Sequence, residues 1–207
     1  MIVAVDGPTA SGKGTIARAI AARYGLPHLD TGLLYRAVGR QVELAGSDPD
    51  DEAAALAACE FDNALLADPA LRSEIVGGLA SRVSVHPAVR RALFDRQRAF
   101  ATQPGGAVLD GRDIGTVIAP EAEVKLYVTA GIPARARRRF LEMRKRGEPV
   151  TLTEIEADLR RRDARDAARA DAPLRQADDA LVLDNSELTP EKSIAEALRL
   201  VAERLRG

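Results

Sequence analysis

The chain has 207 residues; 30 are Lys or Arg and 31 Asp or Glu, and a formal charge of −1 implies no general attraction to nucleic acid or anionic membrane. Its one cysteine, Cys59, excludes an internal disulfide and fits a reducing compartment. No apolar run approaches membrane-spanning length, and Met1 leads straight into the first predicted strand without room for a signal peptide, so the expectation is a cytoplasmic monomer with one core.

Ile2-Val3-Ala4-Val5 reads as a short strand buried on both faces of a parallel sheet. Gly7 follows, then Gly12-Lys13, and Ile16, Ala19, Ile20 and Tyr24 recur at helical spacing. A strand, a glycine-spaced loop ending in lysine and a helix form a phosphate-cradling arrangement, the P-loop. Backbone N–H groups converge on a phosphate only where side chains leave room, the helix start adds its positive end, and Lys13 adds a full charge. The bland alternative is a glycine-bearing turn with Lys13 solvated; the strand before and the helix after argue against it. Gly14 stands directly after Lys13, where Ser or Thr is usual, and Thr15 one place later, so metal contact by Thr15 is either direct or through water.

Gly25-Leu26-Pro27 makes a turn, His28-Leu29 a very short second strand, and Asp30-Thr31 sits at the N-cap of a helix carrying Leu33, Leu34, Ala37 and Val38. No second histidine lies near His28 at metal spacing, so it reads as a packed strand residue. Residues 52–102 read as mostly helical, broken near Asp68-Pro69, at Gly77-Gly78 and at His86-Pro87. Ala107-Val108-Leu109 is a third strand ending in Asp110-Gly111-Arg112-Asp113, Val124–Val128 a fourth, and Leu181-Val182-Leu183 a fifth. Helices are expected at 133–146 and 151–170, and a last one carries Ile194, Leu198, Val201 and Leu205 as a core stripe.

Alternating strands and helices imply an α/β fold: a five-stranded parallel sheet flanked by helices and joined by right-handed crossovers. Ligands in such sheets bind beyond the carboxyl ends of the strands, where the P-loop, Asp30-Thr31 and Asp110–Asp113 all fall. Arg162, Arg165, Asp166 and Arg169 share one side of a helix by their spacing. They read either as surface pairs, Arg162 with Asp166 and Asp166 with Arg169, or as part of an anion site. Arg135, Arg137, Arg138, Arg139, Arg144, Arg146, Arg160 and Arg161 crowd the same stretch, and guanidinium forks suit phosphate.

Together the segments VDGPTASGKGT at 5–15, LDTGLLYR at 29–36, SRVSVHPAVR at 81–90, RQRAF at 96–100, LDGRDIGTVIAP at 109–120 and RDARDAARADAPL at 162–174 resemble the bacterial cytidylate kinases, P-loop nucleoside monophosphate kinases, over essentially the whole chain. The resemblance implies phosphoryl transfer from ATP, with Mg²⁺, to CMP or dCMP. ATP would lie on Gly7, Pro8, Thr9, Ala10, Ser11, Gly12, Lys13, Gly14 and Thr15, with Thr15 toward the metal. Thr31, where the family also carries serine, keeps a hydroxyl at the acceptor site. Ser81, Arg90 and Asp113 would face cytosine, Arg162 and Asp166 the sugar, and Arg36, Arg112 and Arg169 the acceptor phosphate. Lys13, Arg112 and a lid arginine (Arg137, Arg138 or Arg139) would serve catalysis. The expected division is a core of about 1–30, 104–130 and 175–207, a short monophosphate-binding insertion of about 31–103 and a helical lid of about 131–174. The competing expectations are a P-loop kinase for another monophosphate or small metabolite, and an RNA-binding module. The latter is disfavoured because Phe140 is the only ring in the arginine-rich region.

Overall fold

A computed structural model describes residues 1–206. Strands β1 (Ile2–Asp6), β2 (His28–Asp30), β3 (Ala107–Gly111), β4 (Val124–Thr129) and β5 (Leu181–Asp184) form one sheet in the order β2-β3-β1-β4-β5. Every pairing is parallel, so all five carboxyl ends share one edge. β1 lies at the centre, and the chain passes to opposite sides of it on leaving β1 and β3, which opens the crevice at its end.

Period-two alternation in β1 separates two cores. Val3 and Val5 join Ile16, Ile20, Leu126, Val128 and Val201 beneath α1 (Lys13–Tyr24) and α8 (Pro190–Arg204). Ala4 faces the other way with Leu109, Ile114 and Ile118, covered by Phe94, Phe100 and Ala101 of α5 (Pro87–Ala101). Each fully buried Val, Leu or Ile contributes roughly 1.5–3 kcal/mol, so the sheet that carries the site is its best-anchored part.

Between β2 and β3 lie α2 (Thr31–Leu44), α3 (Glu52–Ala57), two short 3₁₀ turns, α4 (Glu74–Val83) and α5. The expected break at Gly77-Gly78 is overturned: both glycines sit inside α4. Gly77 is used as a notch, since a Cβ there would lie 2.9 Å from Arg36 Nη2 and 3.2 Å from Arg162 Nη1. A Cβ on Gly39 of α2 would meet Ala80 N at 2.9 Å, so α2 and α4 touch almost backbone to backbone.

After β4 come α6 (Ile132–Lys145) and α7 (Leu152–Ala167), which pack on one another through Ala136, Met143, Ile155 and Leu159. α7 opens on a capping box between Thr151 and Glu154. It ends at Ala167, short of the predicted 170, because Leu174 N donates to the carbonyl of Asp166 at 2.9 Å and folds the chain back. Arg169 therefore lies just past the helix. In α8 the buried line is Ser193, Ala197 and Val201, with Ile194 and Leu198 beside it; Leu205 falls beyond the helix and is exposed, contrary to expectation. Among the described residues no helix is long and apolar enough to cross a membrane.

Candidate functional site

The loop after β1 is shaped by close backbone packing. A Cβ on Gly7 would sit 2.0 Å from the carbonyl oxygen of Val128, so no side chain fits there. Gly12 takes φ +86 at the start of α1, a left-handed conformation that glycine adopts freely. No side chain caps α1, leaving its first N–H groups available to a ligand. Ala10 holds a positive φ of 61, a local strain that costs roughly 1–2 kcal/mol. Asn185, buried after β5, steadies the loop from outside by donating from Nδ2 to Ser11 O at 2.9 Å.

A cavity of about 330 Å³ runs from this loop to the helices beyond β2 and β4. Of the sequence-predicted residues, Thr9, Ala10, Gly12, Lys13, Gly14 and Thr15 line one end. Thr31, Arg36, Ser81, Arg90, Arg112, Asp113, Arg139, Arg162, Asp166 and Arg169 line the remainder. Gly7, Pro8 and Ser11 support the loop without lining the cavity. Arg137 is exposed, and Arg138 is turned to Asn185, donating to its side-chain oxygen at 2.9 Å and to its carbonyl. Of the three consecutive arginines, the structure brings Arg139 to the cavity.

Arg112 joins the two ends. Its Nη2 donates to Thr9 Oγ1 at 2.7 Å and its Nε to Asp166 Oδ2 at 2.8 Å. Asp166 is shared with Arg169. Burial alone would raise the Asp166 pKa, yet Arg112 and Arg169 together hold it below the ordinary carboxylate range. Burial likewise works against the Arg112 guanidinium, and Asp166 with Asp110 and Asp30 together keeps its pKa above normal. The pairing expected within α7 is overturned for Arg162, which meets Asp158 at 2.7 Å and Glu74 at 3.7 Å rather than Asp166. Arg165 turns to α4 and donates to Ser81 Oγ at 2.7 Å.

Farther along, Arg90 pairs with Asp113 and lies 5.6 Å from the ring centre of Tyr35. Asp113 opens a single π-helical turn, Ile114–Ile118, whose start is fixed from β1: Asp6 accepts from Ile114 N at 2.9 Å and Gly115 N at 2.8 Å. The buried Nε atoms of Arg90 and Arg169 have no partner among the described residues, although both side chains border the cavity. The cavity's cations, Lys13 and seven arginines, outnumber its carboxylates Asp30, Asp110, Asp113 and Asp166, which gives the ligand a negative charge.

Asp30 and Asp110, which the sequence placed at the ligand end of the sheet without a role of their own, border the cavity, and so do Arg18, Tyr35 and Ser84, to which it gave no role. The two aspartates had a readable signal, since both end parallel strands. Asp110 lies against the start of α1, 3.5 Å from where a Gly14 Cβ would be, accepts from His28 Nε2 at 2.8 Å, and offers its carbonyl to Thr31 Oγ1 at 2.8 Å. Burial, then the neighbouring Asp110, raises the Asp30 pKa. Burial and then Arg112 lower Lys13 to about 8, leaving it mostly protonated at neutral pH.

A phosphate loop on the central strand of a parallel sheet, facing an arginine wall across one cavity, defines a P-loop phosphotransferase. Within that class, the sequence pattern of the cytidylate kinases matches residues 3–203, and the chain belongs to the cytidylate kinase family of nucleoside monophosphate kinases. A cytidylate kinase of Rhodopseudomonas palustris is 56% identical over 202 residues, covering 97% of this chain and 96% of that protein. One from Xanthobacter autotrophicus is 56% identical over 207 residues and spans all of both chains. One from a Caulobacter species is 56% identical over 201 residues, 97% of this chain and 93% of that protein. A crystal structure of an uncharacterized protein from Eubacterium ventriosum shares the fold at a TM-score of 0.56 and 13% identity, covering 98% of each chain.

Proposed function

We propose that the protein transfers the γ-phosphoryl group of ATP to CMP or dCMP, yielding ADP and the cytidine diphosphate. The observation that carries this reading is Arg112, bonded at once to Thr9 of the phosphate loop and to Asp166 of the opposite wall. A residue so placed touches both sides of a transfer between two phosphate-bearing molecules.

The donor phosphates would lie on the backbone of residues 7–15 with Lys13 at the outer end. Arg36, Arg112 and Arg169 hold the acceptor phosphate; Arg162 and Asp166 hold its sugar; Ser81, Arg90 and Asp113 read its base. Arg139 is the lid arginine for the moving group. The acceptor oxygen is already anionic near pH 7, since a phosphate monoester's second pKa is about 6, so no side chain need remove a proton. The residues act by alignment and by spreading charge. Helices α6 and α7 cover the reacting groups and exclude water that would otherwise hydrolyse ATP.

The donor set fits Mg²⁺ carried in by ATP: Asp30, Asp110 and Thr15 offer hard oxygens beside Lys13, and no cluster of three or more His, Cys, Asp or Glu able to hold a metal occurs among the described residues. Bound there, Mg²⁺ neutralises phosphate charge. The enzyme is read as a monomer acting in the cytoplasm, where its substrates occur. Assay of CMP, dCMP, UMP, AMP, GMP and dTMP with Mg-ATP tests the proposal. Turnover should be fastest with CMP or dCMP; faster turnover of a purine monophosphate would overturn the cytosine assignment.

A further inference from the structure

The first turn of α4 carries a carboxylate that joins two walls of the acceptor cavity, the insertion and the lid. Glu74 receives two donors of Arg139 from α6, Nε at 3.2 Å and Nη2, and it lies 3.7 Å from Arg162 Nη2 of α7. One turn on, Gly77 leaves the notch in which the guanidinia of Arg36 and Arg162 rest on the helix. Arg36 is itself fixed by donating to the carbonyls of Leu71 at 2.6 Å and Ser73 at 3.0 Å, immediately before α4. Arg36, Arg139 and Arg162 border the cavity; Glu74 does not, and opens instead on the outer groove between α4 and the lid. It therefore stands behind the arginines.

We infer that Glu74 is a positioning residue, which ties the insertion to the lid and aims Arg139 into the cavity from behind. Three guanidinia this close repel one another; Glu74 on Arg139, with Asp158 on Arg162, relieves that repulsion and leaves a net positive charge toward the ligand. Because Nε and one terminal nitrogen of Arg139 are occupied from outside, the other terminal nitrogen is the one left for the cavity. This role rests on the phosphoryl-transfer reading for its effect on turnover, but the mechanical tie between α4 and the lid does not.

The test compares wild type with E74A, R139A and the double variant. Amide hydrogen exchange without nucleotide should quicken in E74A along the lid turn at 144–151 as well as at the start of α4; quickening confined to α4 would reduce Glu74 to a helix-start residue and overturn the tie. In steady-state assays, E74A should lose about tenfold in kcat with the KM for ATP changed less than twofold. The double variant should match R139A within about twofold, because Glu74 acts through Arg139. Losses that multiply, or an unimpaired E74A beside an impaired R139A, would overturn the positioning role. An R139A enzyme with full turnover would instead remove Arg139 from the reaction, and with it this inference, while wild-type failure on every monophosphate would sink the kinase reading and leave exchange to decide the tie.

Discussion

The two ends of the cavity are built from different materials. The proposed donor end is backbone: contiguous residues of the loop after the central strand, held by the carbonyl of Val128 under Gly7 and by Asn185 on Ser11. The proposed acceptor end is side chain: arginines from α2, α5, the turn after β3, α6, α7 and the segment beyond it, each steadied by a carboxylate or carbonyl. A backbone cup has little to rearrange when a phosphate arrives, whereas a wall of ion pairs must exchange internal partners for the ligand's oxygens. Substitutions at the donor end should therefore act chiefly on the chemical step, and those at the acceptor end on binding of one substrate.

The largest expected effect is at the cup. Lys13→Ala removes the cation carried by the loop itself and should lower kcat by at least about a hundredfold, with the thermal midpoint nearly unchanged because the Lys13 side chain makes a single internal hydrogen bond, 3.4 Å to Pro8 O. Near-normal turnover in folded protein would end the donor assignment. Arg112→Ala comes next, at about ten- to a hundredfold in kcat, and it should weaken both substrates because Arg112 touches both ends. A loss restricted to either nucleotide would contradict that bridging position.

Asp166→Ala should separate the ends most cleanly. It leaves Arg112 and Arg169 without their shared carboxylate, and the KM for CMP should rise about tenfold while that for ATP moves less than twofold. Equal losses for both nucleotides would erase the distinction between cup and wall.

That same distinction explains what was legible in the sequence. The sheet, its order of elements and the phosphate loop depend on local runs and spacing, and the five strands are found where the apolar runs of 2–5, 28–29, 107–109, 124–128 and 181–183 put them. Partners across the wall are another matter. The i,i+4 rule offers Asp166 to Arg162 within α7, but Arg112 reaches Asp166 from a different strand end, and no spacing encodes that meeting. Successive helical residues point about 100° apart, so only one of Arg137, Arg138 and Arg139 can face a given cleft, and the docking of α6 decides which. Gly77-Gly78 misleads for the same reason: glycine lowers helix propensity, yet tertiary contact with Arg36 makes a glycine the residue that fits.

The smallest effect concerns the joint between the ends, Asp6, whose carboxylate fixes the turn carrying Asp113. Burial pushes its pKa from 3.8 to about 7, against the pull of the Gly115 and Ile114 N–H groups, with Asp113 adding to the rise and Lys13 opposing it. Lys125 packs on the same glycine, and Tyr127, its own pKa raised by burial and then by Asp6, lies on the adjoining strand. Below about pH 4 the folded and unfolded chains both hold the proton, so the group contributes nothing differential. Between about pH 4 and 7 the unfolded chain releases it first, the folded state binds more protons, and stability falls as pH rises; above about 7 the cost is complete and constant. Asp6→Asn cannot titrate. It keeps one accepting oxygen and sets its amide against the second N–H, which adds an offset that does not vary with pH. The thermal midpoint of wild type minus that of D6N should therefore decline from about pH 5 to 7 and level off by about pH 8, other titrations cancelling in the difference. Parallel curves across that range would mean that Asp6 is ionised throughout, and that the two N–H bonds outweigh its burial.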